Sequence, residues 1–254
     1  MSLFDPAEQR FAEAASRLTY SNPFLPERVQ LEREALGPDF ATTPEVYRFC
    51  ADADELWPNL SELSEKNLGR LDERVEALAD KACSRLLSGG TVLDSEAVLY
   101  EDVVHYLLYR RHRHDLDATI ATTRGRPQIS FWRPFLAEFR RYFDIPGVEF
   151  HRANNPAHAF ACFFQIRRAF HHIFYYIIGA SKAATRLRGA IWQSIFSHDM
   201  RRYARSMYTQ MDRNTTLITG PSGTGKELVA RALALSRYIP FNHETGRFSA
   251  DFAG

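Results

Sequence analysis

Apolar residues recur every three or four positions along much of the chain, which is the spacing of helices with one buried face. The first predicted helix has a clear start, because Asp5 can cap it, Pro6 suits its first turn and Glu8 completes a capping box. Its inward face is formed by Phe11, Ala14, Ala15 and Leu18. The next segment, residues 21–44, is rich in proline, glycine and Asn/Asp, so we predict mainly loop with one helical turn.

Further helices follow from the same spacing. From about Pro58 to Gly89-Gly90, a single stripe is formed by Leu68, Leu71, Val75, Leu78, Ala82 and Leu86. The next helix starts at Asp94 or Ser95 and ends among arginines, where cations favour the helix dipole. Another helix is predicted over residues 135–143. No alternating strand pattern interrupts this part of the chain, so residues 1–185 are predicted to be almost wholly helical.

The run from Ala157 to Ala184 is the most aromatic part of the chain and is long enough to span a membrane. However, Arg167, Arg168, His171 and His172 lie in its middle, and each central arginine costs several kcal/mol in a bilayer. We therefore predict one soluble core helix with buried phenylalanines, its arginines at the surface or in ion pairs. No membrane partner is expected.

Composition and charge add a compartment and an asymmetry. Three widely spaced cysteines and the lack of a secretion signal favour a reducing cytoplasm. Residues 1–104 hold 21 acidic and 10 basic side chains, whereas residues 105–254 hold 10 acidic and 22 basic ones. This split predicts that the halves face each other or different partners, with a solvated surface of locally biased charge as the alternative for the acidic half.

The basic half contains arginines interleaved with aromatic residues, which fits nucleic-acid phosphates and bases. No nucleic-acid-binding motif accompanies them. Pairing of the arginines with carboxylates, within the chain or on a protein partner, is the favoured interpretation. The arginines concerned are Arg124, Arg126, Arg133, Arg140, Arg141, Arg167, Arg168, Arg186, Arg188, Arg201, Arg202 and Arg205.

A metal site is a weaker hypothesis. His158 and Cys162 are four residues apart, which places both on one face of a helix. Two ligands do not make a site, and no second pair has matching spacing. The pattern favours histidines of the core or the surface, with no metal ligand and no catalytic residue among them.

The most informative stretch is Leu217–Leu233, which predicts a short apolar strand, a glycine-rich turn and an amphipathic helix. Gly220, Gly225 and Lys226 fit the phosphate-binding pattern G-x-x-x-x-G-K in its strand–loop–helix context. Glycines let backbone N–H groups turn inward around phosphate oxygens, and the helix start adds its positive dipole end. Lysine supplies a point charge for the terminal phosphates. The candidate phosphate-binding residues are Gly220, Pro221, Ser222, Gly223, Thr224, Gly225, Lys226 and Glu227.

The position after the lysine normally carries Ser or Thr for magnesium, and here it is Glu227. With this residue included, Leu217–Leu233 closely resembles the P-loop of bacterial enhancer-binding proteins, the AAA+ activators of sigma-54 RNA polymerase. In that family G-x-S-G-T-G-K-E-L-V-A-R-A is the usual wording. Weaker resemblance surrounds it, in Ile191-Trp192-Gln193-Ser194 and Met200-Arg201-Arg202-Tyr203 before the loop and in residues 237–242 after it.

The resemblance implies ATP as ligand, with Mg²⁺ held mostly by residues beyond Gly254. It also implies ATP hydrolysis in the full-length protein, assembly as an AAA+ ring, sigma-54 RNA polymerase as partner, and DNA contact only through a C-terminal domain that is absent from this sequence. The family's second acidic motif, sensor arginines and G-A-F-T-G-A loop are likewise absent here. We therefore expect no turnover from the 254-residue chain.

These observations predict a mainly α chain in two parts. Residues 1–185 would form a helical regulatory or partner-binding region, and residues 186–254 would begin the AAA+ ATPase domain with an incomplete P-loop βα unit. Two alternatives stay open. One is a helical interaction or signalling protein whose P-loop binds no nucleotide, and the other is a different P-loop NTPase.

Overall fold

The computed structural model describes residues 2–41, 47–50, 53–58, 65–122, 125–126, 128–150, 155–179, 181–196, 200–208 and 216–252. Over these residues the chain is mainly helical, which confirms the predicted fold class at that level. The helices are α1 (Pro6–Tyr20), α2 (Pro26–Leu36), α3 (Glu65–Leu87), α4 (Asp94–Arg111), α5 (Arg113–Thr122), α6 (Trp132–Phe143), α7 (Pro156–Tyr176), α8 (Lys182–Phe196), α9 (Met200–Arg202) and α10 (Lys226–Leu235). Two antiparallel hairpins join them, formed by β1 (Tyr47–Cys50) with β2 (Ala53–Pro58) and by β3 (Phe241–Asn242) with β4 (Arg247–Phe248).

The chain divides into two compact units. Unit 1 comprises Met1–Arg111 and Phe135–Asn154, and unit 2 comprises His112–Pro134 and Asn155–Gly254. Helix α7 thus belongs to the same unit as α10, the helix that follows the glycine-rich loop. The domain division at residue 185 stays a prediction about the intact protein.

The start of α1 follows the predicted capping chemistry. The Asp5 carboxylate accepts hydrogen bonds from the N–H groups of Ala7 and Glu8, both at 2.9 Å. The Asp5 N–H in turn donates to the Glu8 carboxylate at 2.8 Å, so that the capping box is complete. The predicted inward face, including Phe11 and Leu18, is buried.

Residues 21–44 differ from the sequence-based prediction, because α2 occupies eleven of them. Pro26 stands at the first helical position, Glu27 in the first turn and Arg33 in the last, which all favour a helix. Gly37, with a backbone φ of 56°, ends it. Val29 and Leu36 are both buried, so the apolar residues of this segment outweigh the turn residues around it.

The hairpin of β1 and β2 is a second difference, since residues 1–185 were predicted to be almost wholly helical. Tyr47 pairs with Pro58 and Phe49 with Leu56. The strand-like alternation of apolar and polar residues is limited to Tyr47-Arg48-Phe49, since Asp54 and Glu55 are adjacent in β2. It is too brief to stand out against the helical periodicity of its neighbours.

Unit 1 places charged and polar groups on the contact surfaces of its helices. Asp102 on α4 is fully buried, and its carboxylate accepts hydrogen bonds from the hydroxyls of Ser16 at 2.6 Å and Tyr20 at 2.7 Å. A row of carboxylates on α3, one turn apart, binds arginines of other helices. The pairs are Asp72 with Arg110, Glu76 with Arg111, and Asp80 with Arg141.

The Glu8 carboxylate links α1 to α3. It accepts hydrogen bonds from Arg85 Nη1 at 2.6 Å and lies 2.5 Å from Lys81 Nζ. Burial alone would raise its pKa, but these bonds and that from the Asp5 N–H lower the pKa to about 2. An ordinary glutamate carboxyl titrates near 4.5. Glu8 therefore stabilises the fold above that pH, and the contribution is lost as the pH falls towards 2.

We predict that Glu8→Gln is less stable than the wild type at pH 7, and that this difference shrinks between about pH 4 and pH 2. Urea denaturation at a series of pH values measures it. Glu34→Gln is the control, because Glu34 forms an exposed pair with Arg17 that contributes little. A difference for Glu8→Gln that is independent of pH would contradict the assignment.

The aromatic run forms two helices instead of one. Helix α7 ends at Tyr176 and α8 begins at Lys182, so the single helix predicted over Ala157–Ala184 is wrong. The Arg188 guanidinium, which is buried, donates to the carbonyls of Ile177 and Gly179 and so satisfies backbone groups at the break.

The phenylalanines of α7 are only partly buried as predicted. Phe160 and Phe164 lie in the core of unit 2, in ring contact with each other and with Phe248 of β4. Phe170 is half-buried, and Phe174 is 37% exposed. Phe174 lies close to Tyr176, where α7 ends before α8 begins. The less buried phenylalanines of α7 are therefore those nearest the break between the two helices.

Candidate phosphate-binding loop

The segment before the loop does not form the predicted strand. Residues 216–220 are neither helical nor extended into a sheet, and Leu217 is 84% exposed. A strand of this kind needs neighbouring strands that bury it on both faces. The described residues contain strands only in the two hairpins, and neither pairs with residues 216–220. The lack of a partner strand accounts for the difference.

The loop itself turns at its glycines. Gly223 and Gly225 have φ angles of 76° and 78°, a region that other residues enter only at a cost of about 1–2 kcal/mol. Gly225 is the residue that caps α10, and Lys226 is the first residue of that helix. The glycine pattern thus brings the lysine to a helix N-terminus, where it was expected.

The Lys226 side chain folds back over the loop. Its ammonium nitrogen Nζ donates to the carbonyls of Gly220 at 3.0 Å and Pro221 at 2.6 Å. The Thr224 hydroxyl donates to the same Pro221 carbonyl at 2.9 Å. These hydrogen bonds join Lys226 and Thr224 to the start of the loop, at Gly220 and Pro221.

Donors for an anion are present in the same place. In the part of the chain that the structure describes, the N–H groups of residues 222–227 donate to no backbone carbonyl. Residues 220–224 and Glu227 are exposed to solvent. Exposed N–H groups at a helix N-terminus, together with its dipole and a lysine, favour binding of a phosphate.

The far end of α10 is buried, in contrast to its start. Ala232 and Ser236 are fully buried, whereas Leu228 near the loop is 36% exposed. Two side chains of α7 bind carbonyls there, Gln165 and Arg168. The prediction that Arg168 lies at a surface or in an ion pair is wrong, because its guanidinium is buried and donates to main-chain carbonyls. No local signal separates Arg168 from Arg167, because no carboxylate stands three or four residues from either of them on α7.

His158 and Cys162 form a neutral, structural pair. The Nε2–H of His158 donates to the Ala204 carbonyl at 2.8 Å, so Nδ1 accepts a hydrogen bond from the Tyr238 hydroxyl, also at 2.8 Å. Burial lowers the pKa of His158 and raises that of the Cys162 thiol to about 12. A protonated thiol beside a neutral imidazole is not an activated nucleophile.

The residues of weaker resemblance before the loop, 191–194 and 200–203, contribute buried side chains to unit 2. Trp192 of α8 and Tyr203, which follows α9, each contact Phe196 through their rings and are buried. The rings of Trp192 and Tyr203 therefore contribute to the core of unit 2.

The arginines have several kinds of partner. Arg167 binds both carboxylate oxygens of Asp117 on α5, at 2.6 and 2.7 Å, and Arg141 binds Asp80. Arg168 and Arg188 bind main-chain carbonyls instead. Arg124 lies outside the described residues, and the nucleic-acid hypothesis stays untested.

Among the described residues, no group of three or more His, Cys, Asp or Glu side chains could hold a metal ion. None of the described helices is long and apolar enough to cross a bilayer.

No protein-family model, no curated protein and no solved structure matches the chain. The resemblance to sigma-54 activators therefore remains an expectation drawn from the loop's sequence.

Proposed function

We propose that this chain is part of an ATP-binding regulator of transcription that acts on sigma-54 RNA polymerase. The observation that carries the proposal is the loop of residues 220–226, where two glycines with positive φ precede a helix that begins at Lys226. The sequence of this loop, including Glu227, matches the wording of the activator family. Its geometry supports the phosphate-binding half of the proposal.

ATP would bind with its phosphates in the loop. The N–H groups of residues 222–227, which donate to no backbone carbonyl among the described residues, would donate to phosphate oxygens, and the N-terminus of α10 would favour their negative charge. Lys226 would exchange the carbonyls of Gly220 and Pro221 for the terminal phosphates. Both states leave the ammonium group hydrogen-bonded, so binding does not require it to be desolvated without a partner.

Hydrolysis needs further groups. Attack of water on the γ-phosphate depends on positioning and on charges that stabilise the transition state, and Lys226 supplies one of these. The proposal assigns the magnesium ligands, the water-positioning acid and the arginines to sequence after Gly254. It likewise assigns ring assembly and the polymerase contact to the complete motor, with residues 1–185 as its regulatory or partner-binding region.

Two other functions remain candidates. A helical interaction protein could retain a P-loop that binds no nucleotide. The hydrogen bonds of Lys226 Nζ to the carbonyls of Gly220 and Pro221 are compatible with that function. A different P-loop NTPase would bind ATP without acting on polymerase. A G-A-F-T-G-A segment in the downstream reading frame would favour the activator.

A transcription assay tests the proposal. The full reading frame, with ATP and Mg²⁺, is expected to drive promoter opening by purified sigma-54 RNA polymerase on a supercoiled sigma-54 promoter. A non-hydrolysable ATP analogue is expected to give none, and polymerase with a different sigma factor serves as the matched control. ATP hydrolysis without any effect on sigma-54 polymerase would favour another P-loop NTPase. Absence of ATP binding would favour the helical interaction protein.

A further inference from the structure

Helix α7 holds the C-terminal end of α10 by its backbone. The Arg168 guanidinium, which is 2% exposed, donates to the carbonyl of Leu235 at 2.5 Å and to that of Arg237 at 3.1 Å. It also donates to the Phe252 carbonyl at 3.4 Å. Gln165, one turn earlier on α7, donates to the Ser236 carbonyl at 3.1 Å. Three consecutive carbonyls at the end of α10 are thus bound by two side chains of α7.

The charged guanidinium of Arg168 is bound by main-chain carbonyls. Its hydrogen bonds, as far as the described residues show, all go to carbonyls, whereas its neighbour Arg167 forms a bidentate pair with Asp117. The C-terminal end of a helix carries a partial negative charge, which favours a cation there. A buried guanidinium at this end therefore stabilises α10 in its present position, and removal of the group takes a hydrogen-bond donor from the carbonyls of Leu235, Arg237 and Phe252.

The position of α10 matters because its two ends have different tasks. The C-terminal end is bound by α7, and the N-terminal end carries the cap Gly225 and the ammonium group of Lys226. A helix of ten residues is about 15 Å long and behaves as a rigid rod over that distance. A shift or tilt at the bound end therefore displaces the loop end as well.

We infer that Arg168 is a positioning residue for the phosphate-binding loop, and that α7 is part of the nucleotide-binding module. Arg168 does not touch the loop and acts through α10. This inference rests on the proposed function, because it concerns the phosphate site of that proposal. It places the start of the functional module at α7 and not at residue 186.

The chain offers two matched controls for a test. Arg167→Met removes the neighbouring arginine and its pair with Asp117 but no bond to α10. Arg188→Met removes a second buried arginine that binds carbonyls, at the break between α7 and α8. A purely structural loss in unit 2 would therefore be reproduced by Arg188→Met. Arg168→Lys keeps the charge and one donor group.

Hydrogen exchange of the nucleotide-free chain gives the first readout. Arg168→Met is expected to increase exchange at α10 and also at the amides of residues 220–228, whereas both control variants leave those loop amides unchanged. Titration of the full reading frame with ATP gives the second. Arg168→Met is expected to weaken ATP binding about tenfold, equivalent to about 1.4 kcal/mol, with partial recovery in Arg168→Lys.

The inference is overturned if Arg168→Met changes exchange only at the end of α10, or if Arg188→Met weakens ATP binding equally. If Arg168→Met does not fold, the comparison of Arg168→Lys with Arg188→Met decides in the same way. The proposed function fails separately, when the wild-type reading frame binds no ATP. In that event the exchange measurement alone still shows whether Arg168 fixes the loop.

Discussion

Replacement of Phe160 by alanine is expected to lower the free energy of unfolding of unit 2 by about 3–5 kcal/mol. The Phe160 ring is fully buried. It contacts five other aromatic rings, those of Phe131, Trp132, Phe164, Phe241 and Phe248. The substitution removes the apolar area that the ring buries and leaves a cavity that neighbouring rings on separate elements cannot all move to fill. Most small domains are only 5–15 kcal/mol stable, so this loss is a large fraction.

Urea denaturation followed by tryptophan fluorescence measures the effect, since Trp132 and Trp192 both belong to unit 2. Phe174→Ala is the control, because Phe174 lies on the same helix but is 37% exposed. It is expected to cost about 1 kcal/mol or less. Equal costs at the two positions would mean that the aromatic cluster does not form the core of unit 2.

The helices whose signals are local were predictable from the sequence. The capping box at Asp5 and Glu8 fixed the start of α1, and the glycines after Leu87 fixed the end of α3. The start of α4 at Asp94 follows from the same reasoning. Each signal involves residues within one or two turns of each other, so it acts before any tertiary contact is made.

The differences arise where tertiary contacts decide. Helix α2 has a weak apolar stripe, and its burial in unit 1 outweighs the turn-forming residues around it. The break between α7 and α8 is stabilised by Arg188, which binds carbonyls nine to eleven residues before it. Neither effect follows from helical periodicity.

The candidate site divides in the same way. The loop of residues 220–226 was predictable, because its chemistry is contained in a short motif. The role of Arg168 was not, since its hydrogen bonds join residues 67 to 84 positions apart in the sequence. The strand expected before the loop does not form, because a strand depends on partner strands and none of those in the described parts of the chain pairs with residues 216–220.

Lys226→Ala is expected to weaken ATP binding by the full reading frame about 100-fold. Its ammonium group would form charge-assisted hydrogen bonds to the terminal phosphates, each worth about 1.5–3 kcal/mol. Arg231→Ala is the control, because Arg231 lies exposed on the same helix and its removal changes the net charge equally. The 254-residue chain is expected to hydrolyse no ATP.

Calorimetric titration of the full reading frame with ATP is the most direct test of the phosphate-binding loop. The wild type, Lys226→Ala and Arg231→Ala are compared. The expected result is saturable binding by the wild type and by Arg231→Ala, and binding by Lys226→Ala that is lost or about 100-fold weaker. Equal binding by all three proteins would show that the nucleotide binds elsewhere. Absence of binding by the wild type would contradict the proposal that residues 220–226 bind the phosphates of ATP.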